Sequence, residues 1–446
     1  MFKKINKLSQ PRIFALGFFF IIAIGTLLLS LPIAVRPGEK ISFLNSLFTA
    51  TSATCVTGLV VVDTVTHWSI FGQLVILLMI QIGGLGFMTI GVIFSLFLRK
   101  KIGLRTRGML QESINAERLG GIIRLTKKMI WGTILVEGIG AVILAIRFVP
   151  ELGPLKGIYY GIFHSISAFC NAGFDLFGYQ APYNSLVEYV ADPTINIVIM
   201  LLIIIGGLGF VVWDDITRNG LKVKKYKLHT KLVLVTTLLL IVLGMLLYYI
   251  FEKDNLYANA STKETIFGTL FSSVTARTAG FNTTDVGAMT ESSKLLTVVL
   301  MFIGGSPGST AGGIKTITIA VLLIYVWNNL RNTRGCNVFS RRIDDTAIKK
   351  ASIVAVISLV MAIVASLALT HLQDAPLSDI LLEVFSAIGT VGLSAGITRD
   401  MTTISRIILI ALMYCGRIGS MSFALSFTDR KKVAPVQLPT EKIMIG

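Results

Sequence analysis

Charged residues are scarce in this sequence, at 15% of its 446 residues. A soluble globular protein carries about 25%, so this chain has too few charges to cover a water-facing surface of its size. Cysteine and histidine are scarce too, with four of each. The cysteines lie far apart without a CxxC pair, which argues against a zinc site and a disulfide framework.

Catalytic side chains are not grouped either. The histidines stand singly, and the acidic pairs Asp214-Asp215 and Asp344-Asp345 sit beside basic residues at predicted helix ends. Such pairs are ordinary solvated charges. No cluster of His, Asp and Glu falls within an apolar stretch, so the sequence argues against a membrane-embedded enzyme.

Long apolar runs, by contrast, are abundant. Five of them approach or exceed the roughly 20 residues that span a bilayer: Ile13–Ile33, Ile70–Leu98, Ile195–Trp213, Leu232–Phe251 and Ile353–Leu369. The first follows a basic stretch, but it is longer than the about 7–15 apolar residues of a secretory signal, and no small-x-small cleavage site follows it. These runs predict an all-α polytopic membrane protein with a retained first helix.

The excess of basic residues serves as a topology signal. The formal charge of +17 would suit nucleic acid, but 29 of the 41 Lys and Arg residues lie in five clusters between apolar segments. The clusters are Lys3–Arg12, Arg99–Lys128, Arg218–Lys231, Arg331–Lys350 and Arg430–Lys442. By the positive-inside rule they are cytoplasmic, together with both termini. No nucleic-acid partner is expected.

A short pattern occurs four times in the chain. Each copy begins with Phe, continues with Ser, Thr and small residues, and ends with Gly: Phe48–Gly58, Phe163–Gly173, Phe271–Gly280 and Phe385–Gly392. The terminal glycines are 115, 107 and 112 residues apart. The third and fourth copies reach their glycine sooner than the first two, so the alignment of their backbone is less secure.

The spacing predicts four near-equal units, with boundaries at residues 1–100, 101–220, 221–335 and 336–446. Each unit reads as a long apolar helix, a short re-entrant hairpin that carries the pattern, and a second long apolar helix. A glycine cluster recurs in each second helix: Gly83–Phe87, Gly206–Phe210, Gly304–Gly308 and Gly416–Gly419. Close helix packing is one reason for such glycines, but it does not explain their recurrence at one place in each unit.

Four re-entrant strands of this kind suit a cation. Non-helical backbone at membrane depth must be buried in protein or line a water-filled cavity. Carbonyl oxygens from four equivalent strands can form rings that replace the hydration shell of an ion. Glycine turns its carbonyl without a Cβ penalty, and Thr54, Thr57, Thr278 and Thr390 can add hydroxyl ligands or anchor the strands.

At these residues the chain resembles a known family. Thr54–Gly58 and Thr390–Gly392 look like degenerate potassium-channel filter sequences. Four such loops in one chain are similar to the Trk/Ktr/HKT superfamily of potassium transporters, and in length and number of helices most similar to the bacterial Ktr membrane subunit. The resemblance implies four M1–P–M2 repeats with pseudo-fourfold symmetry around a central pore, made of eight transmembrane helices and four pore loops.

The resemblance also implies a selectivity filter that binds K⁺ through backbone carbonyls. The implied filter residues are Cys55, Val56, Thr57, Gly58, Cys170, Asn171, Ala172, Gly173, Thr278, Ala279, Gly280, Thr390, Val391 and Gly392. With one glycine in each repeat, the four walls are chemically unequal, which implies weaker discrimination against Na⁺ than in a symmetric channel.

The segment Gly304–Gly313 interrupts the second helix of the third unit. Its glycines and proline cannot form a stable helix, and a broken helix in a membrane must line a cavity. By resemblance it is a gating loop below the filter, made of Gly304, Gly305, Ser306, Pro307, Gly308, Ser309, Thr310, Ala311, Gly312 and Gly313. A phosphate-binding loop is the rival interpretation, but Ile314 separates Gly313 from Lys315 and breaks the GK[ST] pattern.

Several charged residues stand within apolar segments. Arg417 is costly there and is therefore a functional candidate; by resemblance it faces the pore beneath the filter and acts with the gating loop, while a structural ion pair is the alternative. Lys315 could lie at the cytoplasmic mouth or have a structural role. Arg277 is expected to point away from the ion path and brace the third filter, and Glu137 is a candidate partner for one of these cations.

The expected partners follow from the same resemblance. A cytosolic nucleotide-binding ring subunit of the RCK/KTN type would dock on Arg99–Lys128, Arg218–Lys231 and the C-terminus, although these charges could instead serve only orientation and contact with anionic membrane lipid. A homodimer is expected, with the apolar stretch Val433–Gly446 at its interface. The sequence thus predicts potassium uptake, without enzyme activity, across a bacterial plasma membrane; an alternating-access cation-coupled transporter is the alternative.

Overall fold

The protein is built almost entirely of helices. The structure is a computed structural model, and it describes residues 10–86, 89, 103–113, 120–179, 181–333, 335–419, 439, 441 and 444. Within these residues the strands are limited to one hairpin, in which β1 Asn337–Val338 pairs antiparallel with β2 Arg341–Arg342. The prediction of a mostly helical protein is confirmed.

The α-helices, in chain order, are α1 Gln10–Leu29, α2 Phe43–Cys55, α3 Thr64–His67, α4 Ile70–Leu85, α5 Leu104–Ser113, α6 Ile122–Leu152, α7 Pro154–Phe169, α8 Pro193–Gly207, α9 Phe210–Asn219, α10 Leu228–Glu252, α11 Thr262–Thr275, α12 Glu291–Phe302, α13 Thr316–Leu330, α14 Asp345–Leu372, α15 Leu377–Gly389 and α16 Thr403–Ile418. Short 3₁₀ helices cover Pro32–Ala34, Val187–Tyr189, Val223–Lys225 and Ile397–Asp400.

Four long helices, α1, α6, α10 and α14, are long and apolar enough to cross a membrane. In the most apolar window of each, only 22–28% of the residues are buried inside the protein. Apolar side chains such as Phe19, Ile146 and Leu367 therefore face outward, as lipid-facing side chains do. The predicted runs omitted α6, because Glu137 and small residues interrupt its apolar sequence.

A short helix follows each long one in the chain. These helices, α2, α7, α11 and α15, contain 13–16 residues. At 1.5 Å per residue they measure roughly 20–24 Å, less than the about 30 Å of a bilayer core. Local sequence starts them: Ser42 caps α2, Pro154 opens α7, and Ser261 and Glu264 form a capping box on α11.

The second apolar helices, α4, α8, α12 and α16, all end at the glycine clusters. Gly86, Gly209 and Gly419 follow three of them with nearly identical backbone angles, φ 81–94° and ψ 131–140°, which only glycine adopts easily. The predicted run Ile195–Trp213 is broken rather than a straight helix, because α8 gives way to α9 at an angle of 96°. The predicted run Ile70–Leu98 extends beyond α4 into residues outside the described part.

The packing of these helices closes on itself. Each long helix packs on the short helix that follows it: α1 on α2, α6 on α7, α10 on α11 and α14 on α15. Each second helix packs on the short helix of the next unit: α4 on α7, α8 on α11, α12 on α15, and α16 on α2. The last contact brings the fourth unit back to the first, so the four short helices end around one common centre.

Candidate functional site

The four pattern glycines meet at this centre. A Cβ atom added to each glycine would clash with the carbonyl oxygen of the residue before the next glycine. The clashes are Gly58 with Ala172 at 2.5 Å, Gly173 with Ala279 at 2.7 Å, Gly280 with Val391 at 2.4 Å, and Gly392 with Thr57 at 2.3 Å. Gly58, Gly173, Gly280 and Gly392, named here the glycine ring, therefore form a closed circle in chain order.

The backbone conformation repeats in all four segments. The second residue before each glycine has positive φ, at 57° for Val56, 59° for Asn171, 76° for Thr278 and 51° for Thr390. The glycines themselves have φ of 68–96°. Left-handed residues at alternate positions turn the carbonyl groups of a strand toward one side. For the three β-branched residues the conformation is strained, at about 1–3 kcal/mol each, so the surrounding structure must impose it.

A hydroxyl group at the end of each short helix holds its segment. Ser52 and Ser386 accept hydrogen bonds from the amides of Gly58 and Gly392, at 3.1 and 3.0 Å. Ser167 donates to the carbonyl of Phe174 at 2.7 Å, and Thr275 to that of Phe281 at 2.5 Å. The expected anchors Thr54, Thr57 and Thr390 have hydroxyls without a hydrogen-bond partner in the described part of the chain.

These hydroxyls also resolve the uncertain alignment of the fourth copy. Ser386 takes the place of Ser52, so Leu382, four residues earlier, stands where the first copy has Phe48. Phe385 is therefore not the counterpart of Phe48. In the third copy one residue fewer separates Thr275 from its glycine.

The glycine clusters allow the second helices to touch the ends of the short helices. A Cβ on Gly83 would lie 2.1 Å from the carbonyl oxygen of Thr54, one on Gly206 2.0 Å from that of Phe169, and one on Gly416 2.2 Å from that of Ile388. In the third unit, Gly304 lies against the methyl group of Thr278. This shared close approach explains why the cluster recurs at the same place in the first, second and fourth units. In the third, a Cβ on Gly304 would first meet the carbonyl oxygens of Ile314 and Gly312, at 2.8 and 2.9 Å.

Residues 303–315, between α12 and α13, form a loop beside the glycine ring. Hydrogen bonds join it to the second unit: the amides of Ser306 and Thr310 donate to Gly207 and Gly206 at 3.0 and 3.3 Å, and the amide of Phe210 donates to Gly308 at 2.8 Å. Toward the fourth unit, a Cβ on Gly312 would lie 1.9 Å from the Thr390 hydroxyl. At Gly312 the loop therefore has no room for a side chain.

Arg417 binds this loop. Its guanidinium group donates hydrogen bonds to the carbonyl oxygens of Thr310 and Gly83, and to that of Gly84 at 3.3 Å. The side chain thus connects α16 with the loop and with the glycine cluster of the first unit. Lys315 donates to the carbonyls of Ala311 and Gly312, at 2.7 and 3.1 Å, so it braces the loop internally.

The glycine ring lies between two cavities. The smaller, of about 140 Å³, is lined by all four ring glycines, by Asp63, Asp175 and Asp285, and by Arg399. The larger, of about 720 Å³, is lined by the loop, by Arg417 and by residues of all four units. The loop and Arg417 therefore lie on one side of the ring, and Asp63, Asp175 and Asp285 lie on the other side.

Two of the charged residues singled out in the sequence, Glu137 and Arg277, are buried. Glu137 accepts hydrogen bonds from Gln81 at 3.2 Å and lies beside the Cys170 thiol, so its partners are neutral groups rather than the cations considered for it. Arg277 is buried, and its Nε has no hydrogen-bond partner among the described residues; its expected bracing of the third filter stays a prediction. The stretch Val433–Gly446 lies almost entirely outside the described residues.

Other buried polar contacts were not foreseen. Lys294 and Asp379 form an ion pair of 2.8 Å between α12 and α15, and Glu383 accepts hydrogen bonds from Ser394 and Thr398 behind the fourth glycine. Charged residues near apolar segments are a visible signal in the sequence. Their partners are not, because residues 85 positions apart meet only through helix packing.

Comparisons with known proteins agree with this architecture. The long outward-facing apolar helices define a helical integral membrane protein. Residues 11–434 match the TrkH family, described as a cation transport protein. The chain belongs to the TrkH family of cation transport proteins, a family of transporters rather than enzymes, and the predicted family is confirmed.

Two relatives and one solved structure illustrate the similarity. The chain is 43% identical over 442 residues to the Ktr system potassium uptake protein B of Bacillus subtilis, covering 99% of this chain and 97% of that protein. It is 41% identical to the potassium/sodium uptake protein NtpJ of Enterococcus hirae, covering 100% and 99%. The crystal structure of the potassium transporter TrkH from Vibrio parahaemolyticus shares the fold, with a TM-score of 0.70 at 19% identity over 92% of this chain and 84% of that chain.

Proposed function

We propose that this chain takes up potassium ions across a bacterial plasma membrane through a channel-like pore, as the translocating subunit of a Ktr-type system. The observation that carries the proposal is the closed glycine ring between two cavities, with its alternating left-handed backbone. Two relatives are named as a potassium uptake protein of a Ktr system and as a potassium/sodium uptake protein. These names support K⁺ as the transported ion and Na⁺ as a second candidate ion.

The pore is formed by four M1–P–M2 repeats, residues 1–100, 101–220, 221–335 and 336–446. The long helices are M1, the short helices are pore helices, and the second helices are M2. The cyclic packing of each second helix on the next short helix supports this division. The short helices point their C-terminal ends, which carry partial negative charge, toward the centre and so favour a cation there.

The filter binds a dehydrated ion through carbonyl oxygens. Candidate ligands are the carbonyl groups at and before the ring glycines, including those of Thr57, Ala172, Ala279 and Val391. Cations are attracted into the small cavity by Asp63, Asp175 and Asp285, which outnumber the arginine of its lining, Arg399, before they reach the filter. Because the residues around each glycine differ between repeats, we expect weaker exclusion of Na⁺ than in a channel with four identical walls.

The loop Gly304–Gly313 is the gate. Its hydrogen bonds to the second unit and its contact with Thr390 support a seated position directly under the filter. Arg417 holds the loop there and adds a positive charge in the ion path. For the pore to open, the loop must move away from the filter. Its glycines permit that movement because glycine adopts a wide range of backbone angles.

Regulation comes from a cytosolic nucleotide-binding ring of the RCK/KTN type. The Ktr system named for the relatives supports association with a further subunit. The ring would dock on Arg99–Lys128 and Arg218–Lys231, with the termini on the same cytoplasmic side. The protein forms a homodimer in membrane lipid, and its outward-facing apolar helices suit that environment.

Rubidium uptake tests the function directly, in cells that lack their own potassium uptake systems. We expect wild type, expressed with a matching ring subunit, to restore growth at low potassium and to take up rubidium. Gly58→Ser should lower the preference for K⁺ over Na⁺, because its side chain would lie where the carbonyl of Ala172 is. Gly38→Ser is the matched control: Gly38 also has positive φ, 93°, but nothing lies within 4 Å of its Cβ position.

A variant with a shortened Gly304–Gly313 loop should conduct more than wild type. If well-expressed wild type moves no rubidium even with the ring subunit, the proposal that the chain conducts potassium is wrong. If Gly58→Ser and Gly38→Ser leave ion preference equally unchanged, the glycine ring is not the filter.

A further inference from the structure

Asn171 lies where the second filter segment meets the third filter segment and the loop. Its side chain is 1% exposed. The amide nitrogen donates a hydrogen bond to the Thr278 hydroxyl at 3.3 Å, and the amide oxygen accepts one from the Thr310 hydroxyl at 3.3 Å. The Thr310 hydroxyl shares its proton between this oxygen and the carbonyl of Phe169, which lies at 3.0 Å. Thr278 belongs to the third segment and Thr310 to the loop. One buried amide thus joins two filter strands to the gate.

The three equivalent residues do not make this connection. Val56 has an apolar side chain, and the Thr390 hydroxyl has no hydrogen-bond partner within the described residues. Thr278 reaches the loop only through its methyl group, which lies against Gly304. In the described part of the chain, Asn171 alone among the four is hydrogen-bonded both to a neighbouring segment and to the loop.

We propose that Asn171 couples the gate to the filter, so that the ion affinity and selectivity of the filter depend on whether the loop is seated. This inference rests on the proposed function. Asn171 itself has φ 59° and stands two residues before Gly173, among the carbonyls assigned to the ion. Its side-chain bonds therefore hold the backbone that binds the ion.

Departure of the loop removes the partner of the amide oxygen. A fully buried polar group without its hydrogen bond is unfavourable. The Asn171 side chain therefore rotates toward another partner, and its hydrogen bond to Thr278 breaks. The filter strands of the second and third units then relax together. Linkage makes the effect reciprocal: an ion bound in the filter changes the stability of the seated loop by the same factor.

Removal of the Thr310 hydroxyl tests the coupling without removing the loop. Thr310→Val keeps the shape and the β-branch but also removes the bond to the Phe169 carbonyl, a contribution that the double-mutant cycle separates from the Asn171 link; Thr310→Ser keeps the hydroxyl. Asn171→Gly keeps the positive φ but removes the amide, and Asn171→Gly/Thr310→Val completes a double-mutant cycle. Thr126→Val is the control, because the buried hydroxyl of Thr126 bonds only to the carbonyl of Ile122 in its own helix.

The readouts are the rubidium concentration for half-maximal uptake and the sodium concentration that halves it, at equal amounts of monodisperse protein. We expect Thr310→Val to change both of these concentrations about fivefold. A fivefold change corresponds to about 1 kcal/mol, the contribution of one hydrogen bond. Thr310→Ser should keep the wild-type values. Thr310→Val and Asn171→Gly should be non-additive, because each removes the same link.

Three results would overturn the coupling. One is a change in maximal rate alone in Thr310→Val, with both concentrations unchanged. Another is additive effects of the two substitutions. The third is a shift of both concentrations in Thr310→Ser that is as large as the shift in Thr310→Val. Absence of rubidium uptake by wild type would instead overturn the proposed function, and the coupling with it.

Discussion

The guanidinium group of Arg417 donates a hydrogen bond to the carbonyl oxygen of Thr310, 107 residues earlier in the chain. The same group binds the carbonyls of Gly83 and Gly84. One cation at the end of α16 is therefore held by backbone of the first and third units. If the loop is a gate, the hydrogen bond between Arg417 and Thr310 is a latch that must break before the loop can move.

Replacement of this latch should raise ion flux. Arg417→Gln removes the positive charge and the hydrogen bond to the loop at Thr310, and a charged hydrogen bond stabilises by about 1.5–3 kcal/mol. We expect the maximal rate of rubidium uptake to rise severalfold, measured in cells with equal amounts of protein. Arg331→Gln, at an exposed residue beside Trp327, should leave the rate unchanged. An unchanged or lower rate in well-folded Arg417→Gln would show that the arginine does not restrain the ion.

Gly312→Ala should unseat the loop. The added methyl would lie 1.9 Å from the hydroxyl oxygen of Thr390, so the loop cannot keep its position. We expect increased uptake and partial rescue by Thr390→Ala, which removes the clashing atom. Gly138→Ala is the control, since nothing lies within 4 Å of that Cβ position in α6. Equal uptake by Gly312→Ala and wild type would contradict the seated position of the loop.

Ser52→Ala and Ser386→Ala should weaken ion selectivity. Each removes the acceptor for the amide of a ring glycine, and a buried amide without a partner costs about 1–3 kcal/mol. We expect the preference for K⁺ over Na⁺ to fall by roughly three- to tenfold, measured by competition of sodium with rubidium. Ser30→Ala is the control, because the Ser30 hydroxyl, just after α1, bonds to the carbonyl of Thr26 in the last turn of that helix. Unchanged preference in both serine variants would rule out an anchoring role.

The ion pair of Lys294 and Asp379 should matter for stability rather than for transport. Removal of one partner leaves a buried charge unpaired, whereas replacement of both by apolar residues is nearly neutral. We expect Lys294→Met and Asp379→Leu each to lower the apparent melting temperature in detergent by roughly 5 °C. The double variant Lys294→Met/Asp379→Leu should recover most of the loss. A double variant less stable than either single one would contradict a simple ion pair.

Local sequence predicted much of the site. The Phe-to-Gly pattern indicates where non-helical backbone must occur, because glycine adopts positive φ without strain. Proline and glycine between Gly304 and Gly313 predict the break after Phe302 for the same reason. The extent of the second helices could not be predicted: apolar residues continue through Gly86 and Gly209, and hydropathy does not detect a change of φ at one residue.

The sequence by itself determined the class of this protein, the four copies of its Phe-to-Gly pattern and the positions of its left-handed backbone, because apolar length, glycine and proline act locally. Tertiary structure alone decided which residues meet. The contacts of Asn171 with Thr310, of Arg417 with Gly83 and of Lys294 with Asp379 join residues distant in the chain. They arise because each second helix packs on the next short helix and the last returns to the first, a closure that no local pattern encodes.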